Sequence, residues 1–357
     1  MVQRSLLFRI VKVIPETEDT STFVLEETSR APIPYKSGQF LTFIFESHGK
    51  ELRRSYSLSS TPGIDEYLSI TVKRVHNGAI SRNLLDHYHE GDLLKALAPS
   101  GMFVLDEHTE AKKTIFLLAA GSGITPVYSL LKSIVHRERG SSVILIYQNH
   151  ARRSTIFRNA LELMAAQFPD RFTWIDLVST PNSHNPTSQR LNNEQLERII
   201  AEQIQTEGAN ARFFICGPPS FMRMCQYTIL LMGFKPWQVR KEYFVIDEPP
   251  LPPLLPEAKQ RRVIVYTSKQ KIMFVAQYPK TILQSALDQN IPLPYSCRGG
   301  KCSTCVAKCA SGKVEMSIND VLTDADLAQG LILTCVGYAV TDIELIFGEG
   351  DKVNIEH

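Results

Sequence analysis

No stretch of this sequence is long and apolar enough to read as a membrane span. The most apolar one, Thr114 to Leu131 (TIFLLAAGSGITPVYSLL), is broken by two glycines, a proline and several hydroxyls. A strand, a turn and a helix explain it better. An excess of charge is missing as well. Lysine and arginine number 39 against 37 aspartates and glutamates, a net +2, so the total points to neither nucleic acid nor an anionic membrane. Two tryptophans and no interleaving of aromatic with basic residues weaken a nucleic-acid reading further. The N-terminus, MVQRSLLFRIVKVIPE, has neither the apolar segment nor the small-residue cleavage site of a secretory signal. The seven cysteines are an odd number, and five fall in the last third. That is no secreted disulfide framework. It suits a metal centre in a reducing cytoplasm.

With 357 residues and 43% apolar content, two or three domains can each bury a core. Residues 1–106 read as mostly β. FLTFIFES, RRSYSLSS and YLSITVKRV are short β-branched or aromatic runs bounded by turn residues, and one helix is expected near Ile80 to His89. An antiparallel barrel would close such a set. Residues 107–246 alternate strand and helix. TIFLLAA, SVILIY, RFTWIDLV and ARFFIC are the strands. TPVYSLLKSIVHRERG, RSTIFRNALELMAAQF, NEQLERIIAEQI and SFMRMCQYTILLMGF are the helices. This predicts a doubly wound parallel sheet. Residues 247–261 hold five of the twenty prolines and read as an extended linker that spans up to roughly 40 Å. Residues 262–357 open with two strands around SKQK. A helix near Thr281 to Asn290 and a cysteine-rich loop follow.

That loop, CRGGKCSTCVAKC, holds Cys297, Cys302, Cys305 and Cys309, and Cys335 lies beyond it in LILTC. The spacing C-x4-C-x2-C with a distant fourth cysteine is that of plant-type [2Fe-2S] ferredoxins. Two irons need four thiolates around a compact cluster. Gly299 and Gly300 let the loop wrap tightly with its amides turned to the sulfurs. A bacterial [4Fe-4S] run would need a first spacing of two, and a proline where Ala310 stands. Structural zinc prefers separated C-x2-C pairs, and CSTC does not open a helix as a redox dithiol would. The expected ligands are therefore Cys297, Cys302, Cys305 and Cys335. Cys309 is expected as a small buried residue of the next strand.

Further signals lie upstream. In RSYSL, Arg54 can pair bidentately with a pyrophosphate and Tyr56 can lie on a flat ring system. Ser57 can hydrogen-bond a ring nitrogen, with Ser55 between them. VKRVHNGAIS follows, from Val72 and Lys73 to Gly78, Ala79, Ile80 and Ser81, where a helix N-terminus suits phosphate. In GSGITP, Gly121 and Gly123 allow close approach of a phosphate. Thr125 and Pro126 begin the helix. Cys216, Gly217 and Pro218 end the last apolar strand, so both loops fall at carboxyl ends of parallel strands, where ligands bind. Taken singly, each has a plainer reading: a cross-strand tyrosine, a tight turn, a buried strand-end cysteine.

Together these motifs resemble the ferredoxin–NADP reductase superfamily. KEYF, with Glu242 and Phe244, matches the end of its reductase module. A reductase followed by a ferredoxin domain of expected β-grasp fold resembles the reductase subunits of phenylacetyl-CoA epoxidase and its relatives. The resemblance implies FAD, with FMN as the alternative, and a [2Fe-2S] cluster. It implies hydride transfer from NAD(P)H to flavin, with Ser57, Cys216, Glu242 and Phe244 at that site. Single electrons then pass through the cluster to an oxygenase component, the protein partner, such as a diiron oxygenase of the phenylacetyl-CoA epoxidase type. A desaturase or other diiron acceptor, or a non-catalytic redox sensor, are the other readings. NADPH is expected over NADH, because YQNHARRS carries Arg152 and Arg153 and lacks the acid that holds an NAD ribose. From Glu315 onward there are nine acidic residues and one basic, an expected docking face for a basic partner.

Overall fold

The computed structural model describes residues 5–47, 49–105, 112–138, 140–180, 190–204, 210–244, 251–255, 259–267 and 270–347. The chain divides into a unit of Ser5–Val245 and one containing Ile246–His357.

The first unit begins with β1 (Ser5–Thr17), β2 (Thr20–Glu27), β3 (Phe40–Ser47), β4 (Lys50–Ser57), β5 (Leu68–Lys73), α1 (Ala79–His87) and β6 (Leu93–Leu97). The strands form one antiparallel sheet in the order β4-β3-β6-β1-β2-β5. An antiparallel bridge between Leu58 and Ile70 joins the chain leaving β4 to β5. The two edges thereby meet, and the sheet rolls into the expected barrel. Every second residue points inward: Phe8 and Ile10 from β1, Phe23 and Leu25 from β2, Leu41 and Phe43 from β3.

The same unit continues through β7 (Thr114–Ala120), α2 (Ile124–Arg137), β8 (Ser142–Asn149), α3 (Arg158–Gln167), β9 (Phe172–Val178), α4 (Asn193–Gln203), β10 (Ala211–Cys216), α5 (Pro219–Leu231) and β11 (Val239–Glu242). These strands are all parallel, in the order β11-β10-β7-β8-β9. The continuous apolar run of β7 follows from burial on both faces. Ile115, Leu117 and Ala119 pack with α2 and α3, whereas Phe116, Leu118 and Ala120 pack with α4 and α5. Two details depart from expectation. α3 starts at Arg158, not near Arg153, because Phe157 takes a left-handed φ of 61° and stacks on Tyr128 with ring centroids 4.3 Å apart. β11 has no counterpart among the expected strands: VRKE lacks an apolar run, and an edge strand needs none.

The second unit holds β12 (Gln260–Tyr266), β13 (Lys271–Gln277), α6 (Ile282–Asp288), β14 (Val306–Ser311), β15 (Val314–Met316), α7 (Asp324–Ala328), β16 (Leu331–Leu333), β17 (Gly337–Ala339) and β18 (Ile343–Ile346). Its sheet runs β13-β12-β18-β14-β16, with β12 and β18 parallel and the other pairs antiparallel. Thr281 caps α6, its hydroxyl accepting from the Gln284 amide. Ile282, Leu283 and Ala286 then press that helix onto the same core as Val263, Val265 and Leu345. This is the expected β-grasp. Gln260 and Arg261, expected in the linker, already belong to β12. Residues 245–250 and 256–258 of that stretch lie outside the described residues. Among the described residues no helix is long and apolar enough to cross a membrane.

Candidate functional site

β4 presents its residues alternately. Arg54 and Tyr56 share one face; Ser55 and Ser57 share the other. Burial pushes the Tyr56 phenol up to about 12, against the pull of the Arg54 cation beside it. The Ser55 hydroxyl lies 3.0 Å from that of Thr42, so it serves the sheet. Ser57 is buried, and its hydroxyl donates to Glu242 Oε1 at 3.3 Å. Glu242 in turn is the parallel partner of Cys216. Three residues far apart in the chain thus meet where the barrel touches the carboxyl edge of the parallel sheet.

Glu242 Oε2 is buried and has no hydrogen-bond partner among the described residues. Burial raises its carboxyl to about 8, although the Ser57 hydrogen bond pulls the other way. Burial, then the neighbouring Glu242, pushes the Cys216 thiol well up. Phe244, just past β11, is 45% exposed. An orphaned buried acid next to an open aromatic fits a flat, hydrogen-bonding ring such as a flavin.

The helix start at Gly78 behaves differently. Gly78 is the N-cap of α1, and a Cβ there would stand 2.5 Å from Ser81 Oγ. Ser81 accepts from the Val75 amide at 3.1 Å and donates to the Gly78 carbonyl at 3.2 Å. Its hydroxyl shapes the turn, which leaves the first-turn amides, from Ala79 on, to face an anion. Val72 and Ile80 point into the barrel core, so only their backbone can meet a ligand. Lys73 pairs with Asp19 at 3.4 Å.

The two glycine loops pack tightly. A Cβ on Gly123 would fall 2.2 Å from the Cys216 carbonyl oxygen, and one on Gly217 would fall 3.0 Å from Ala120 Cβ. Gly123 is therefore required for the loop after β7 to touch the loop after β10. Gly121 has a φ of 55°, and its carbonyl accepts from Tyr147 Oη at 3.0 Å. Thr125 Oγ1 donates to the Ser122 carbonyl at 2.9 Å, Pro126 lies in the first turn of α2, and Pro218 caps α5. In sequence Tyr147 is only the last residue of the apolar run SVILIY. A buried phenol must find a partner, and that was the available signal. Arg152 and Arg153 form a short 3-10 turn past the carboxyl end of β8. Arg152 Nη2 lies 3.7 Å from Glu162 Oε1, which also holds Arg158 at 3.0 Å.

In the second unit the four expected thiols come together. Cys297 shares hydrogen bonds with the Cys302 and Cys335 thiols, and Cys305 shares one with Cys335. These bonds, led by that to Cys302 and joined by the Gly299 and Lys301 amides, hold Cys297 far below the ordinary thiol range. The loop reaches this shape through positive φ at Arg298 (57°), Gly300 (73°) and Ser303 (54°). The Thr334 amide and hydroxyl both bond the Cys305 carbonyl, at 3.2 and 3.1 Å, which fixes Cys335 beside the loop. Four convergent thiols with amides turned to sulfur fit a [2Fe-2S] cluster. Cys309 stands apart on β14, its thiol 3.3 Å from the Ser311 carbonyl. It is half-buried, not buried as expected, because the strand register shifts between Cys309 and Ser311.

Barrel, doubly wound sheet and thiol-lined β-grasp together define a flavo-iron-sulfur reductase. Models described as oxidoreductase FAD-binding domain, oxidoreductase NAD-binding domain and 2Fe-2S iron-sulfur cluster binding domain match residues 8–105, 117–227 and 265–340. The ferredoxin reductase component of 3-ketosteroid-9-alpha-monooxygenase from Mycolicibacterium smegmatis is 34% identical, over 96% of this chain and 97% of that protein. A component of 1,2-phenylacetyl-CoA epoxidase from Escherichia coli is 30% identical, over 93% of this chain and 94% of that protein. Phthalate dioxygenase reductase has the same fold, with a TM-score of 0.59 and 24% identity over 96% of this chain and 97% of that one. The chain belongs to the family of oxygenase reductase components in which ferredoxin–NADP reductase-type flavin and nicotinamide domains precede a [2Fe-2S] domain.

Proposed function

We propose that this reductase draws electrons from NADPH and carries them through FAD and the thiol-bound cluster to an oxygenase component, in the cytoplasm. The meeting of Ser57, Cys216 and Glu242 carries the reading. A bound flavin accepts a hydride and releases electrons singly, and a [2Fe-2S] cluster takes one at a time. The chain's own residues do the rest. Arg54 offers a pyrophosphate a two-pronged donor, and the α1 amides offer a second anion contact. Ser57 orients Glu242, which can hold a proton at Oε2 near neutral pH. Cys216 stays an uncharged thiol and packs without repelling a nucleotide. Phe244, 45% exposed, would cover a face of the bound ring.

The match of residues 8–105 to an FAD-binding model favours FAD over FMN. Arg152 and Arg153 favour NADPH over NADH through a 2′-phosphate. Relatives named as ketosteroid monooxygenase reductases, at 32–34% identity, support an acceptor of that kind. A phenylacetyl-CoA epoxidase, suggested by motif order, is the second reading and rests on the 30% relative. Anaerobic titration tests the core of this. NADPH should bleach the flavin and produce the electron paramagnetic resonance signal of a reduced [2Fe-2S] cluster. Zinc in place of iron, or a flavin that no nicotinamide nucleotide reduces, would overturn it.

A further inference from the structure

β4 does not end its work at Ser57. The chain runs on through Leu58 to Ser60 into a tight loop, 61–65, and that loop grips α2. Ser129 Oγ donates to the Ser60 carbonyl at 2.5 Å, and Thr61 Oγ1 donates to the Ser129 carbonyl at 2.9 Å. Arg137 reaches the Pro62 carbonyl. Lys132 Nζ bonds Asp65 Oδ2, which also accepts the Thr61 amide at 2.6 Å. Tyr35 ties Ser60 Oγ from the barrel side at 3.0 Å. Ser60, Thr61 and Ser129 are fully buried, and Lys132 is nearly so. The strand that carries Arg54 to Ser57 and the helix whose first turn follows Gly121 and Gly123 are therefore clamped together by this loop.

Lys132 is buried while Asp65 keeps 34% of its side chain exposed. Such a pair adds little net stability, since desolvation and solvent screening offset attraction, but its directional bonds select one arrangement among several that apolar packing would permit. We infer that Lys132 and Asp65 are a positioning pair that sets the offset between the nucleotide loops and the Ser57–Glu242 site. The inference rests on the reading that nicotinamide binds beside Cys216. Hydride transfer, in which a hydride leaves the nicotinamide ring and bonds to the flavin, falls steeply when the two rings are misplaced. An error of ~1 Å costs up to ~100-fold. The phosphate contacts at the start of α2 move with the helix, so affinity is spared.

Lys132→Met, Asp65→Asn and the double variant test this. Asp65→Asn keeps an acceptor for the Thr61 amide, and Lys132→Met keeps the bulk. Stopped-flow reduction by NADPH gives the limiting rate and the Kd; amide exchange at Thr61 and the melting temperature give readouts free of activity. Each single variant should slow the limiting rate about tenfold with Kd within about twofold. The double should be no slower than the slower single. Thr61 should exchange faster in Lys132→Met while Tm stays within a few degrees. Unchanged limiting rates, additive losses, or a loss wholly in Kd would overturn the pair's role. So would variants that shed flavin or melt far below the parent protein, which would make the pair a structural brace. If neither NADPH nor NADH reduces the flavin of the unaltered protein, the nicotinamide reading itself fails.

Discussion

A carboxyl buried beside a thiol, as Glu242 is beside Cys216, gives up its proton late. Its ordinary value is 4.5, and the folded chain raises it to about 8. Below pH 4.5 folded and unfolded chains both hold the proton. Between there and about pH 8 only the folded chain does, so its stability falls as pH rises, by at most roughly 1.4 kcal/mol per pH unit. Urea melts of the flavin-free protein from about pH 5 to about pH 8 should show that slope, and Glu242→Gln should flatten it. An equal slope in both proteins would remove Glu242 as its source. The cysteines allow a second test at this scale. Cys335→Ser should abolish or strongly alter the cluster's visible and electron paramagnetic resonance spectra, with flavin reduction intact. Cys309→Ser should leave both spectra unchanged, because its thiol faces the Ser311 carbonyl. Opposite outcomes would exchange their roles. The C-x4-C-x2-C spacing made the meeting of Cys297, Cys302, Cys305 and Cys335 legible in advance. The half-burial of Cys309 was not, since a bulge leaves no mark in residue type.

Elements that bury both faces announce themselves. β7 and β10 occupy the stretches expected from their apolar runs. Elements held by one contact do not. β11 is a charged edge strand, and α3 loses its first turn to the tilt of Phe157 over Tyr128. That lost turn bears on the proposed NADPH preference, because Arg152 and Arg153 sit in the resulting 3-10 turn at the mouth of the sheet. A continuous helix would have carried them along its flank. Arg152 shares Glu162 with Arg158, an exposed pairing that solvent weakens. A 2′-phosphate can therefore compete for it. Arg152→Ala/Arg153→Ala should raise KM for NADPH about tenfold or more and leave NADH within about twofold, as the loss of a charge-assisted contact would. Steady-state kinetics with ferricyanide decide this. A double variant that keeps its preference would refute the assignment.

On the scale of the whole molecule, each unit has a core of its own: three apolar clusters lie within residues 5–245 and one within the ferredoxin unit. Composition shifts and the proline run made that order legible. The clamp of loop 61–65 on α2 was not, because it joins hydroxyls and one ion pair that carry no periodic signal. Fewer acids are available for the proposed docking face than the sequence implies. Asp326 is spent on a capping box with Thr323, and Asp342 pairs with Arg262 at 3.4 Å. Glu349, Asp351, Lys352 and Glu356 lie outside the described residues. On the proposal of a basic acceptor, Glu315, Asp320, Asp324 and Glu344 are the described acids that would steer it. Such steering is screened over ~8 Å at physiological salt. Electron delivery to the oxygenase should therefore slow severalfold between low and high ionic strength, while reduction of ferricyanide by NADPH changes little. Cutting the chain between Pro249 and Pro256 sharpens the test. Each half keeps its core, so the flavin half should still reduce ferricyanide at the intact rate. Delivery to the acceptor should fall to what free diffusion of the two halves allows, and recover as the ferredoxin half is added in excess. If cutting leaves delivery untouched at equimolar halves, the tether contributes nothing to the electron path. If salt leaves delivery untouched in the intact chain, the four acids do not guide it.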